Sequence, residues 1–191
     1  MKRFILGSLM AVLMASSVLG CAPDRKQKID KTTVTSLDLN RYMGEWYEIA
    51  RFDHRFERNL VGCRTLYTMM DNGMVQVINT GYEDDFDGEF HESIGKARRP
   101  DPNQPGKLEV SFFWNFYADY WVLELAPDYS YSVVGSKSDN YLWILSRSPI
   151  MDQATLDGIL FRLQLRGYDT DKLIWVDQFE IEESIEIFEE F

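Results

Sequence analysis

From Trp46 onward, turn residues cut the chain into a succession of short runs in which apolar and polar residues tend to alternate. The runs are Trp46 to Phe52, Cys63 to Met70, Met74 to Tyr82, Phe90 to Arg98, Lys107 to Phe113, Tyr120 to Leu125, Tyr131 to Ser136 and Tyr141 to Arg147. A period of two is the signature of a strand with one dry and one wet face. The breaks carry hairpin and turn chemistry: Asp71-Asn72-Gly73, Asp87-Gly88, the Pro100 to Gly106 stretch and Ala126-Pro127-Asp128. Eight strands joined in chain order predict an all-β, up-and-down antiparallel sheet, and curling it into an eight-stranded barrel removes its unpaired edges. After Pro149 the period lengthens. Leu156, Ile159, Leu160 and Leu163 fall at helical spacing, with Asp152 placed to cap the start and Gly167 to stop the end. One amphipathic α-helix packed on the outer wall is expected, followed by a short ninth strand over Leu173-Ile174-Trp175-Val176.

Two distant segments carry the strongest single clues. Gly44-Glu45-Trp46-Tyr47-Glu48-Ile49-Ala50-Arg51 follows a short helical-looking lead from Leu37 to Arg41, and Leu142-Trp143-Ile144-Leu145-Ser146-Arg147 ends an aromatic strand in a cation. A guanidinium over an indole contributes roughly 0.5 to 2 kcal/mol when shielded from water. Trp46 and Arg147 are therefore expected to pair as a structural device that closes the barrel floor.

The first residues read as an export signal. Met1-Lys2-Arg3 precedes an apolar stretch from Phe4 to Met14 and then Ser16-Ser17-Val18-Leu19-Gly20-Cys21. The stretch falls short of the roughly 20 apolar residues a span requires. Small residues before a cysteine mark residues 1 to 20 as a lipoprotein signal peptide and Cys21 as the lipidation site, each buried acyl methylene contributing about 0.8 kcal/mol of anchoring. Ala22, where an aspartate would be the alternative, resembles outer-membrane sorting, with the domain facing the periplasm. Residues 21 to 36 read as a lipidated tether, 37 to 178 as the barrel domain and 179 to 191 as an acidic extension. Cys63 is left without a partner, so no disulfide supports the fold. With 20 basic and 31 acidic residues the net charge is −11, and cleavage removes Lys2 and Arg3 as well. Such a chain is a poor partner for nucleic acid, whose phosphates demand clustered cations.

Three segments together resemble the lipocalins, in particular the bacterial outer-membrane branch that is similar to apolipoprotein D. They are Gly44 to Phe52, Ala118-Asp119-Tyr120 where the family often has Thr-Asp-Tyr, and Leu145-Ser146-Arg147 before a helix. The resemblance covers residues 37 to 178. It implies a cup that binds a fatty acid such as palmitate, or a lysophospholipid, for storage, transport or envelope maintenance, with no cofactor. Strand parity supplies the lining. Thr65, Tyr67, Val77, Asn79, Gly95, Val110, Phe112, Tyr120, Tyr141 and Trp143 are expected to face the cavity, and the Tyr117 hydroxyl is the candidate for the head group. About 14 buried methylenes at about 0.8 kcal/mol each would give ~11 kcal/mol gross, reduced by ordering and association costs.

Other readings stand beside this one. Cys63 has inward parity and is a conceivable nucleophile, but Arg64 beside it points the other way, so catalysis lacks the cation a thiolate needs. His54 and His91 lack metal-ligand spacing, and Glu83-Asp84-Asp85-Phe86-Asp87 lacks the regular oxygen spacing of a calcium loop, so no metal is expected. A structural or interaction role is the third reading. It would use the acidic tail, Glu180 to Phe191, or a homodimer.

Overall fold

The computed structural model describes residues 28–179. Nine strands follow a short helix α1 (Leu39–Tyr42): β1 (Gly44–Phe52), β2 (Leu60–Met69), β3 (Val75–Glu83), β4 (Phe90–Arg98), β5 (Lys107–Phe113), β6 (Phe116–Leu125), β7 (Tyr131–Gly135), β8 (Leu142–Ser146) and β9 (Leu173–Trp175). Helix α2 (Gln153–Leu165) and a 3-10 turn (Thr170–Lys172) separate β8 from β9. Neighbours pair antiparallel from β2 round to β8, then β8 with β1, and β1 closes on β2 from Gly44↔Tyr67 to Tyr47↔Arg64. The result is a closed eight-stranded antiparallel barrel with one strand and one helix outside it.

Closure by β1 and β2 is confined to their lower halves. Above Tyr47 the two strands part, and the segment after α2 fills the gap. β9 pairs with β1 from Ala50↔Trp175 to Phe52↔Leu173. The Val176 N–H then donates to Ile49 O at 3.0 Å and the Gly62 N–H to Asp177 O at 2.7 Å. The Gln178 amide bridges Glu48 O at 2.8 Å and Cys63 O at 3.0 Å. Phe179 packs against Tyr82 and Phe86. Main-chain groups that would be orphaned by the split are thus satisfied.

Two apolar layers result. Tyr42, Trp46, Tyr67, Val77, Val122, Val134 and Leu145 pack inside the barrel. Ile49, Phe52, Leu123, Val133 and Ile144 form the outer layer beneath Ile159 and Leu163 of α2. Asp152 caps that helix by accepting the Thr155 N–H at 2.9 Å. Gly167, at φ +90°, ends it in the left-handed conformation that glycine adopts without cost.

Two segments differ from their sequence reading. The aromatic run from Phe112 to Tyr117 is a tight hairpin, since Phe113 pairs with Phe116 and β6 starts there, four residues ahead of Tyr120. Trp114 takes φ +48°, a conformation no bulky residue advertises. Residues 28–36, read as the end of a tether, lie along the wall. Asp30 N–H bonds Arg166 O at 2.8 Å, Val34 N–H bonds Val122 O at 3.0 Å, and Arg166 Nη1 holds Thr32 O at 2.8 Å. The signal segment, Cys21 and residues 180–191 lie outside the described residues.

Candidate functional site

The floor is built around Trp46, which is fully buried and donates from Nε1 to Tyr42 O at 2.8 Å. Arg147 Cζ lies 3.8 Å from the centre of the Trp46 ring. The same guanidinium donates to Glu45 O at 2.6 Å, Arg41 O at 3.0 Å, Tyr42 O at 3.1 Å and Met43 O at 2.8 Å. Three of these carbonyls end α1, where the helix has no donors of its own to offer. A cation there also meets the negative end of the helix dipole. Gly44 makes the close approach feasible, since at φ +94° a Cβ would stand only 3.2 Å from Arg147 Nη1.

Above the floor, Tyr120 Oη lies 2.8 Å from Tyr42 Oη and 2.9 Å from Tyr67 Oη, and Tyr42 also meets Ser132 Oγ at 2.9 Å. Burial pushes the Tyr42 hydroxyl up to about 12, so it stays protonated and available as a donor. Beside this cluster is a cavity of about 150 Å³, bounded by Leu39, Tyr42 and Met43 below, the β2–β3 turn at Asn72, Gly73 and Met74, and inward residues Tyr67, Val75, Ala97, Leu108, Val110 and Tyr120. Its walls are chiefly apolar. Its volume is below the 300 to 1,000 Å³ of ordinary ligand pockets.

The upper barrel is polar. Thr65 Oγ1 donates to Asn79 Oδ1 at 2.9 Å. Gly95 admits the Phe112 ring, which a Cβ would meet at 2.7 Å. Opposite them sits a charged cluster with no counterpart in the sequence reading. Buried Arg51 donates to Glu48 Oε1 at 2.7 Å and to the carbonyls of Glu57 and Leu60, and its Nη1 stands 3.7 Å from Cys63 Sγ. Glu57 accepts from Trp143 Nε1 at 3.1 Å and lies 3.0 Å from His54 Nε2. Burial, and then the charge of Glu57, hold the Glu48 carboxyl well above its usual range despite Arg51. Burial likewise pushes the Cys63 thiol up, with Glu48 adding to it. At the rim His54 stacks on Phe56, and Tyr141 stacks on Trp143 with ring planes 8° apart.

Of the residues proposed from parity, Tyr67, Val110 and Tyr120 line the lower cavity, with Val77 packed in the same interior cluster. Thr65, Asn79, Gly95 and Trp143 take inward register positions outside that cavity, with Phe112 packed on Gly95 and Tyr141 stacked on Trp143. Tyr117 is not among them. It lies on the outer wall, with Arg98 Cζ 3.9 Å from its ring centre, because the hairpin turn at Trp114 sets β6 so that Ala118 and Tyr120 point inward. Arg51 was missed because a bulge between Glu48 and Ala50 turns Ala50 outward and Arg51 inward, against simple alternation. The cation facing Cys63 is therefore Arg51. Hairpin register also brings Glu83, Glu89 and His91 together with donor atoms within 4.8 Å, all exposed to water.

A family model described as a lipocalin-like domain matches residues 37–178. The chain is 42% identical to the outer membrane lipoprotein Blc of Vibrio cholerae over 146 residues, covering 76% of this chain and 85% of that one. It is 42% identical to the same protein of Escherichia coli K12 over 147 residues, covering 77% and 82%, and 33% identical to mouse apolipoprotein D over 153 residues, covering 75% and 78%. Among solved structures, insecticyanin from the tobacco hornworm Manduca sexta superposes with a TM-score of 0.63 at 24% identity, over 80% of this chain and 86% of that one. These relatives place the protein at the outer membrane. Barrel closure, the plugged floor, the outer helix and the family match over residues 37–178 lead to one assignment: the chain belongs to the lipocalin family.

Proposed function

We propose that the protein binds one fatty acid or lysophospholipid in its barrel, tail down, while acyl chains on Cys21 hold it to the outer membrane facing the periplasm. The observation that supports this is the chiefly apolar cavity beside Tyr42, Tyr67, Val110 and Tyr120 within the barrel. An acyl tail entering it sheds water at about 0.8 kcal/mol per methylene. The head group stays higher, near the polar side chains of Thr65, Asn79 and Glu57. The relatives named outer membrane lipoprotein support the anchor. Cys63 takes no catalytic part, since a thiol held protonated is a poor nucleophile even with Arg51 beside it.

Titration with palmitate and with a lysophospholipid, read from the change in tryptophan emission that is lost in Trp143→Phe, tests the reading. Saturable 1:1 binding is expected. Ala97→Leu, which fills the lower cavity, should weaken it about tenfold, or ~1.4 kcal/mol. Unaltered affinity in that variant would place the ligand elsewhere.

A further inference from the structure

We propose that the open rim docks on the bilayer through the β5–β6 hairpin tip, whose aromatic side chains enter the interfacial layer of an uncharged or zwitterionic membrane surface. The tip exposes Phe113 at 73%, Trp114 at 77% and Phe116 at 70%, three large rings in four residues and the three most exposed large apolar side chains among the described residues. Rings concentrated at one protruding turn mark a contact site, where scattered exposed residues would not. The knob is preformed. Phe113 and Phe116 stack at 6.1 Å, Ser111 Oγ holds the Phe113 and Trp114 carbonyls at 3.3 Å, and Lys96 Nζ bonds Asn115 Oδ1 at 3.1 Å. Aromatic rings are the side chains that settle at the boundary between acyl chains and water.

The position of the chain's start fits the same face. The β5–β6 tip and the β7–β8 loop lie on the same end of the barrel, opposite α1. Lys31, close to the first described residue, bonds Lys137 O and pairs with Asp139 at 2.6 Å on that β7–β8 loop. Seven peptide steps link Lys28 back to Cys21, at most ~25 Å of extended chain. An acyl group on Cys21 thus leaves the rim side of the barrel within reach of the bilayer. The occupant is not an anionic surface, because carboxylates outnumber cations in the loops at this end, Asp84, Asp85 and Asp87 of the β3–β4 loop among them. Docking so arranged presents the barrel mouth to the lipids it draws on.

The test uses the full-length chain returned to phosphatidylcholine vesicles in which part of the lipid carries brominated acyl chains. Bromine should quench Trp114 emission, so that Trp114→Phe loses most of the quenching seen in the parent, and raising the salt should leave it unchanged. Equal quenching in parent and variant would overturn the proposal. So would quenching of Trp114 that falls away as the protein is diluted on the vesicle surface, which would mean that the tip meets a second copy. The readout needs no ligand in the barrel, so its failure would leave the lipid-binding reading intact.

Discussion

Arg147 serves four main-chain carbonyls and one indole face, so removing it takes a donor from each carbonyl and the cation from the ring together. Arg147→Ala should cost about 2–4 kcal/mol by urea unfolding, the sum of a shielded cation–π contact and charged hydrogen bonds. Arg147→Lys should recover little, because an ammonium cannot fork to several carbonyls while lying flat on the ring. Glu48 gives a pH dependence. Its folded-state carboxyl titrates above the ordinary value of 4.5, so the folded form holds a proton that the unfolded chain has already lost. The Glu48 contribution to stability is full below that value and is lost as the pH rises above it toward the raised one. Glu48→Gln should flatten the slope, as denaturant midpoints measured across pH would reveal. The Trp46 and Arg147 pairing was legible because both residues stand out in otherwise ordinary strands. The Glu48 and Arg51 cluster was not, since a single inserted residue reverses the parity by which inward positions are counted.

Helix α2 was readable in both its ends and its face. Its spacing put Ile159 and Leu163 inward, and both are buried against β6, β7 and β8. Arg162 adds a forked pair to Glu124 at 2.8 and 2.6 Å, partly open to water and so a minor contribution. Ile159→Ala should destabilise the protein by about 2–5 kcal/mol in chemical denaturation, the usual cost of truncating a buried aliphatic residue, whereas Phe161→Ala on the exposed face should cost little. The β5–β6 hairpin was harder. Its turn uses Trp114 and Asn115 where turn chemistry calls for glycine, so Tyr117 was placed at the mouth and is found on the outer wall. The segment after β9 is the third case. Gln178 and Phe179 complete the wall between β1 and β2, and nothing in local composition foretells that β1 and β2 part above Tyr47.

At the scale of the whole molecule, eight hairpin-linked runs were enough to predict a closed barrel, because an antiparallel sheet of that length has few other ways to lose its edges. What pattern alone does not supply is how much of the interior is empty. The same alternation describes a hollow cup and a filled one, and the difference lies in whether Ala97 and Gly95 leave space or receive a neighbour. Gly95 receives Phe112, while Ala97 borders the cavity. The most direct test of the central claim is native mass spectrometry of the full-length protein taken from its outer membrane in mild detergent. One fatty acid or lysophospholipid per chain is predicted, held in the gas phase by the parent and much reduced in Ala97→Leu. A chain that carries no lipid, or one whose lipid is unaffected by filling the lower cavity, would contradict the account.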